Sequence, residues 1–381
     1  MRICHVITKP ELGGAQLSTL SILLGLPKEK YSISVITSPK GTLKPEFINL
    51  KNIKSYFSPF LTRRINPLLD ILALIHIYLI YRRNRYGLIH THSSKAGIIG
   101  RFAGLAGRVP IILHTVHGWP FNDYQNIITK RFFIFIERIA AKFTTKIICV
   151  SNKDMDTALR YKIAHRDKFI VIKYGIELSE FRKRAANVLQ KRKELGINNN
   201  DPMVGMIACL KPQKSPLDYV RACLEVYKKF PNINFLLIGD GVLKKICKKE
   251  LKAASLNGRF IFTGWRRDIS GILDILDVVV LTSKWEGMPI AIIEALCKGK
   301  PIVVTDVSGA RELVKDNISG YITMPGEYEK IAEKVLLLLK DKELCIKMGS
   351  QGAKSIDDSF DVKRMVGDID ELYSNLLYGI Q

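Results

Sequence analysis

Short β-branched apolar runs alternate with longer helical stretches along nearly the whole chain. Such runs, bounded by glycine, proline or polar clusters, predict strands buried on both faces, because a strand covered on both sides needs no apolar–polar alternation. They fall at residues 3–7, 32–36, 88–91, 111–115 and 146–150, with helical stretches such as 17–26 between them. After a charged break the pattern restarts at 203–209, 235–238, 260–264 and 277–281. Strand and helix in repeated order predict parallel, doubly wound sheets. The break, 182–201, ends in Asn-Asn-Asn-Asp-Pro and predicts a linker with a short helix. The expected organisation is an N-terminal Rossmann-like domain over 1–175, a linker over 176–201 and a second Rossmann-like domain over 202–360. At 381 residues the chain is long enough for two separate cores.

Ligands of such sheets sit beyond the C-terminal ends of the strands, and the candidate chemistry falls there. The run 277–281 leads into Trp285-Glu-Gly-Met-Pro-Ile-Ala-Ile-Ile-Glu294. Gly287 and Pro289 mark a strand-to-helix turn, and 291–297 has helical composition. That turn aims unpaired N–H groups of Met288, Pro289's neighbours and Ile290 out of the sheet, where they can hold a phosphate. Glu286 precedes those donors and Glu294 lies about one and a half turns into the helix. One carboxylate can then reach sugar hydroxyls while the other reaches a ribose, with the pyrophosphate between them; an exposed loop Glu and a solvated helix Glu are the alternative. Near the start, Gly13-Gly14 stands between a strand and a helix, where glycines let backbone approach a ligand. The pair is not a Gly-x-Gly-x-x-Gly fingerprint. His90, His92, His114 and His117 cluster in one window, and His90 and His92 share a strand face. His-x-His and His-x-x-His are spacings that can ligate zinc. Asp154-Met-Asp156 is a paired-carboxylate candidate that reads better as the first turn of a helix after Ser151.

The segment from Gly264 to Gly320 resembles the nucleotide-binding half of the retaining glycosyltransferases of family 4, which have the two-Rossmann GT-B fold facing a central cleft. The matching residues are Gly264-Trp-Arg-Arg-Asp268, Trp285-Glu-Gly-Met-Pro289, Glu294 to Asp306, and Gly309-Ala-Arg-Glu-Leu-Val314. Upstream, Thr91-His-Ser-Ser-Lys-Ala-Gly97 and His114-Thr-Val-His-Gly-Trp-Pro120 resemble two acceptor-domain loops of the bacterial enzymes. The resemblance implies donor-sugar contact by Glu286, ribose contact by Glu294, and phosphate or acceptor contact by Gly13 and Gly14; Gly287, Met288, Pro289 and Ile290 complete the donor loop, with the N–H groups around 288–290 on the diphosphate. Arg266 joins this donor set, and His117 lines the reaction centre near the donor sugar. The loop Ala208-Cys-Leu-Lys-Pro-Gln-Lys-Ser215 stands where the family has Gly-Arg-Leu-x-x-x-Lys-Gly. Cys209 replaces the usual arginine, Lys214 stays in register, and Lys211 can supply the second positive charge. By the same resemblance 361–381 is a helix crossing back to the first domain. No essential metal or cofactor is expected, because lysines and helix N-termini can offset the leaving diphosphate.

Charge adds a second partner. Lys and Arg number 59 against 36 Asp and Glu, a net +23 that calls for an anionic surface. The apolar run 68–81 is flanked by arginines, and 129–146 mixes lysines and arginines with Phe132, Phe133 and Phe135. The first, at about 14 residues, is too short to span a bilayer, and both suit its interface; solvated core helices are the alternative. No nucleic-acid-binding motif is present. Seven scattered cysteines without a Cys-x-x-Cys, and a short first strand in place of a signal peptide, fit a reducing cytosol. The expectation is a nucleoside-diphosphate-sugar transferase, UDP-linked in the first instance. Its acceptor is lipid-linked or a saccharide, and it works at the inner membrane face in surface-polysaccharide or glycolipid assembly. A nucleotide-sugar epimerase or phosphorylase of the same fold, or a non-catalytic basic membrane module, are the competing readings.

Overall fold

The computed structural model describes residues 1–183, 187–252, 256 and 258–379. The chain divides into two compact units, Met1–Gly175 with Val362–Gln381, and Ile176–Asp361. The first contains β1 (Arg2–Val6), α1 (Gly14–Gly25), β2 (Ser32–Thr37), α2 (Lys44–Ile48), β3 (Ile53–Phe57) and α3 (Pro67–Asn84). It continues through β4 (Leu88–His92), α4 (Ser94–Ala106), β5 (Ile111–Val116), α5 (Ile127–Lys142), β6 (Lys146–Cys149), α6 (Asn152–Arg160) and β7 (Phe169–Val171). Its seven strands form one sheet in the order β3-β2-β1-β4-β5-β6-β7, every pair parallel.

The second unit opens with α7 (Leu178–Arg182) and α8 (Val188–Glu194), then runs β8 (Met203–Ile207), α9 (Pro216–Lys229), β9 (Asn234–Ile238), α10 (Lys244–Lys252) and β10 (Phe260–Gly264). It closes through α11 (Ile269–Ile275), β11 (Val278–Leu281), α12 (Ile290–Cys297), β12 (Ile302–Thr305), α13 (Ala310–Leu313), β13 (Gly320–Thr323), α14 (Tyr328–Lys340) and α15 (Lys342–Lys354). Its parallel sheet has the order β10-β9-β8-β11-β12-β13. The last helix, α16 (Val362–Tyr378), belongs to the first unit and packs on α1.

Central strands explain the sequence pattern: every residue of β4, β5, β9, β11 and β12 is buried, so helices must cover both faces. α4 lies directly on the first sheet; a Cβ on its Gly97 would fall 2.4 Å from the ring of His114. A buried pair, Arg101 to Glu137 at 2.6 Å, ties α4 to α5.

Four strands escape the sequence reading: β3, β7, β12 and β13. β3 and β7 are the two edges of the first sheet, and β13 edges the second. Edge strands are covered on fewer sides, so β3 carries Lys54 and Ser55, and β7 has three residues. β12 is apolar throughout, but its run merges with the basic turn Lys298-Gly-Lys300. The expected linker over 176–201 is not extended chain. α7 packs on α12 and α8 on α11, with Leu178 and Phe181 of α7 and Ile197 just after α8 buried in the second unit. Residues 184–186 of that segment and 380–381 of the expected final helix lie outside the described residues.

The outward faces of α3 and α5 are apolar. Leu68, Ile71, Ile75 and Leu79 recur at helical spacing on α3 and are 46–68% exposed, while Ala73, Ile77, Ile80 and Tyr81 pack inward. On α5, Ile128, Phe132 and Phe135 are likewise exposed, beside Lys130 and Arg131. Among the described residues no helix is long and apolar enough to cross a membrane.

Candidate active site

In the second sheet the strand order reverses between β8 and β11, and the loops leaving these neighbours meet. Such reversals open a crevice at the strand ends. The Thr282 hydroxyl donates to the carbonyls of Lys214 (3.0 Å) and Ser215 (2.9 Å), and Lys284 N–H donates to the Gln213 carbonyl at 2.8 Å. The loops are thereby fixed in register, which brings Lys214 Nζ onto Glu286 Oε1 as an ion pair. Ser283 Oγ donates to the same carboxylate oxygen at 2.6 Å, and Gln213 Nε2 reaches Oε2 at 3.5 Å and the Trp285 carbonyl at 2.8 Å. The Glu286 side chain is 8% exposed and that of Lys214 17%. The carboxylate is thus held in one orientation with an edge still reachable.

Behind it α12 begins at Ile290 with Pro289 as its N-cap and no side chain capping it. The Ile292 N–H turns back to the Pro289 carbonyl at 3.0 Å. Beside it stands the start of α13: a Cβ on Gly309 would lie 2.0 Å from the Gly287 carbonyl oxygen. Glycine at 309 lets these two helix-entry loops touch. Glu294 sits half-buried on α12, and among the described residues no hydrogen bond or ion pair reaches its carboxyl. Burial, with the Glu180 carboxylate as a second cause, pushes it up to about 8.

The other donor-side candidates differ in what they are bonded to. Lys211 is half-buried at the entrance to the Pro212–Lys214 turn, and Cys209 precedes it on the same loop. The Arg266 guanidinium makes a fork on Asp268 at 2.8 and 2.6 Å and a further pair with Glu194 at 2.7 Å, with Lys191 bridging the same two acids. It ties the β10 loop to α8.

In the first sheet the order reverses between β1 and β4. Gly13 is the N-cap of α1 and Gly14 its first residue, with no side chain capping the helix. The Gly13 backbone is extended, and a Cβ there would meet only the flexible Gln16 amide at 3.0 Å. The fold itself does not require glycine at this position. His92, at the end of β4, lies between His5 and His117, with ring nitrogens 3.0 and 3.2 Å apart. His117 Nδ1 bonds to the Tyr174 hydroxyl, so both nitrogens of His117 are engaged. His90 bonds to Tyr373 and Thr115 (2.6 and 2.7 Å), and His114 to Thr91 (3.0 Å). His5, His90 and His92 bring possible ligand atoms within 4.8 Å of one another, yet hydrogen bonds to neighbouring rings and hydroxyls already fill those nitrogens. Asp154 is buried and exchanges hydrogen bonds with Ser151 at the start of α6, whereas Asp156 is exposed. The two carboxylates do not converge.

Two family profiles match the chain, one described as glycosyltransferase family 4 over residues 12–180 and one as glycosyl transferases group 1 over 187–355. An Escherichia coli UDP-Gal:alpha-D-GlcNAc-diphosphoundecaprenol alpha-1,3-galactosyltransferase is 32% identical over 380 residues, 99% of this chain and 97% of its own. This chain is a family 4, group 1 glycosyltransferase. A Campylobacter jejuni N,N'-diacetylbacillosaminyl-diphospho-undecaprenol alpha-1,3-N-acetylgalactosaminyltransferase is 23% identical over 94% of the chain and 96% of its own. The crystal structure of Anabaena HepE in complex with UDP-glucose superposes with a TM-score of 0.83 at 22% identity, covering 98% of this chain and all of that one. The fold is therefore GT-B, and the glycosyltransferase uses a nucleotide-sugar donor.

Sequence spacing put Glu286 at the α12 entry of this glycosyltransferase, the family resemblance added Lys214, and the structure shows what holds them together. Ser283, three residues before Glu286, and Gln213, next to Lys214, were not singled out. A serine at i−3 on a strand-to-helix turn was the available signal. His5, Tyr174 and Tyr373 were also missed, since they come from β1, the end of the first sheet and α16, and nothing local in the sequence joins them.

Proposed function

We propose that this glycosyltransferase moves a hexosyl group from a UDP-sugar to a saccharide carried on a polyprenyl diphosphate, with retention of anomeric configuration. Full-length similarity to the E. coli galactosyltransferase, whose name states a UDP-sugar donor and a diphosphoundecaprenol-linked acceptor, carries this reading. Glu286, oriented by Ser283 and Lys214, accepts hydrogen bonds from donor-sugar hydroxyls. Glu294, whose carboxyl lacks a polar partner, takes the ribose hydroxyls. Lys214 and Lys211, with the N–H groups around Met288 and Ile290, stabilise charge on the leaving diphosphate, and Gly13 and Gly14 offer backbone donors to a donor phosphate or the acceptor. A lysine binds phosphate as a point charge, so the missing arginine at Cys209 removes a bidentate fork without removing the positive field. As the oxocarbenium-like centre forms, the acceptor attacks from the face the diphosphate leaves. A departing phosphate oxygen takes the proton, and His117 positions the acceptor without deprotonating it. No metal ion enters this reading.

The site of action we infer is the cytoplasmic membrane face, in surface-polysaccharide assembly. The outward apolar rows of α3 and α5, set among basic residues, suit an anionic interface. The test is transfer from UDP-galactose to N-acetylglucosaminyl-diphosphoundecaprenol in mixed micelles, with EDTA present and the product's anomeric linkage read by NMR. An α-linked product supports the reading. Absence of transfer or donor hydrolysis with UDP-, GDP- and ADP-sugars, by protein that melts cooperatively, overturns it. Recovery of activity only after metal is added back overturns the metal-free part alone.

A further inference from the structure

Ser93, between β4 and α4, is a strained point of the β1/β4 reversal. Its backbone stands at φ 62° and ψ 155°, a region that glycine enters freely and a residue with a Cβ enters at a cost. The side chain does not offset that cost by capping α4, since it makes no cap hydrogen bond. Among the described residues its one hydrogen bond is to Thr8, just beyond β1, with the two hydroxyl oxygens 2.7 Å apart. This bond joins the ends of the two strands that flank the crevice. The residue before it, His92, belongs to a closed file of hydrogen bonds that runs from His90 through Tyr373, His5 and His92 to His117. Both ring nitrogens of each of its four histidines are bonded. Ser93 differs: its bonding is incomplete.

Counting protons sets the direction of the Thr8–Ser93 bond. The Ala96 N–H donates to Thr8 Oγ1 at 3.2 Å, so that hydroxyl already accepts one bond. Thr8 is 7% exposed, and among the described residues its proton has Ser93 Oγ as its one acceptor. Were Ser93 the donor, the Thr8 proton would be left unpaired below the surface, at the full desolvation penalty. Thr8 therefore donates and Ser93 accepts. The Ser93 proton is left over: no acceptor takes it among the described residues, and the residue is half-buried, not sealed. A hydroxyl held on one side by a fixed donor, with its own proton unclaimed, is a donor aimed by the fold.

We propose that Ser93 binds the acceptor, donating its hydroxyl proton to a saccharide oxygen beside the hydroxyl that attacks. The inference rests on the reading that the crevice of the first unit receives the acceptor, and it names the atom that does so. A sugar ring carries oxygens with free lone pairs on every side, which suits one neutral donor in a fixed place. Because the bond goes to a neighbouring oxygen, the attacking hydroxyl keeps a lone pair for the anomeric carbon and its proton for the departing phosphate oxygen. Strain at residue 93 persists because the surrounding structure over-determines it. The hydroxyl is thereby oriented before the acceptor arrives.

The experiment compares wild type with Ser93→Ala and Ser93→Gly in transfer from UDP-galactose to N-acetylglucosaminyl-diphosphoundecaprenol in mixed micelles. Both variants lose the hydroxyl and should lower kcat/KM for the acceptor by about 3–10-fold, the worth of one neutral hydrogen bond. The donor KM and the melting shift produced by UDP should not move. Stability separates the two variants. Alanine keeps the strained backbone, whereas glycine takes φ 62° freely, so Ser93→Gly should melt above Ser93→Ala while transferring no faster. A purely structural role would instead return transfer in the variant that folds better. Acceptor kcat/KM within about two-fold of wild type in either variant overturns the proposal. So does a rise in donor KM that matches the loss, since it would assign residue 93 to the donor. Wild type that transfers nothing to this acceptor overturns the acceptor reading and this inference with it. Active wild type with variants that match it overturns the inference alone.

Discussion

The β8/β11 reversal and the β1/β4 reversal occupy equivalent places in two parallel sheets, yet their strand ends deliver opposite chemistry. At the first, a lysine and a glutamate pair at the edge of solvent beside an uncapped helix start. At the second, neutral rings and hydroxyls close on one another below the surface. The charged site presents donors, a cation and a carboxylate that can exchange partners, which suits an anionic, hydroxyl-rich ligand. The histidine site has little left to exchange, because its bonds are spent on each other. Equal topology does not mean equal use: the same crevice serves as a binding site where its polar groups are left half-satisfied and as a frame where they are filled.

The sharpest way to break the comparison is Glu286→Gln. The amide keeps the shape and loses the charge that faces Lys214, so transfer should fall by about 10²–10³-fold, with the histidine site unaltered by 15N NMR. Transfer within a few-fold of wild type would remove Glu286 from the reaction. Acid comes next and acts on the other site. The buried histidines, His5, His90, His92, His114 and His117, have folded-state values lowered by desolvation. The unfolded chain therefore takes up protons first, near pH 6.5, and stability present above that pH is lost as pH falls towards 3. The slope should approach about 1.4 kcal/mol per pH unit for each histidine. Urea melts at pH 7 and 5.5 that give the same unfolding free energy would contradict the buried neutral file. A smaller effect is expected from Gly309→Ala, which forces the Gly287 carbonyl back. It should cost about 1–3 kcal/mol and lower transfer by displacing Glu286. An unchanged melting temperature and rate would show that the two helix entries can part freely.

The same contrast explains what could be read from the sequence. The donor site is local: Glu286, the α12 entry and Glu294 lie within one strand–turn–helix segment, so spacing alone placed them. Lys214 was placed by its resemblance to a known loop, and the structure carries it onto Glu286 because β8 and β11 are neighbours. The histidine file is non-local, assembled from β1, β4, β5 and α16, which only strand order brings together. The pattern 90–92 showed a shared face and no more. Arg266 shows the reverse case. Its position in a motif suggested a donor contact, and nothing in the sequence showed its ion pairs with Asp268 and with Glu194, 72 residues away. Edge strands were missed for a simpler reason, since half-exposed residues do not form the apolar runs by which buried strands are recognised.

Glu294 gives the last and smallest effect, and it tests whether the charged site is poised or merely strained. Its carboxyl is raised from an ordinary 4.5 to about 8, first by burial and then by Glu180. The sign is the reverse of the histidines: the unfolded chain ionises near 4.5, the folded one resists until about 8, and stability falls across that window as pH rises. Glu294→Gln should therefore gain on wild type in melts at pH 8–9 while losing the stabilisation that UDP confers. Ribose hydroxyls donating to this carboxyl favour its ionised form, so UDP binding at pH 7 should release up to about one proton. Calorimetry in two buffers of different ionisation enthalpy reads that release directly. A buffer-dependent enthalpy in wild type that vanishes in Glu294→Gln identifies the ribose contact. Equal enthalpies in both buffers for wild type would mean that Glu294 stays protonated with nucleotide bound and acts, if at all, as a donor.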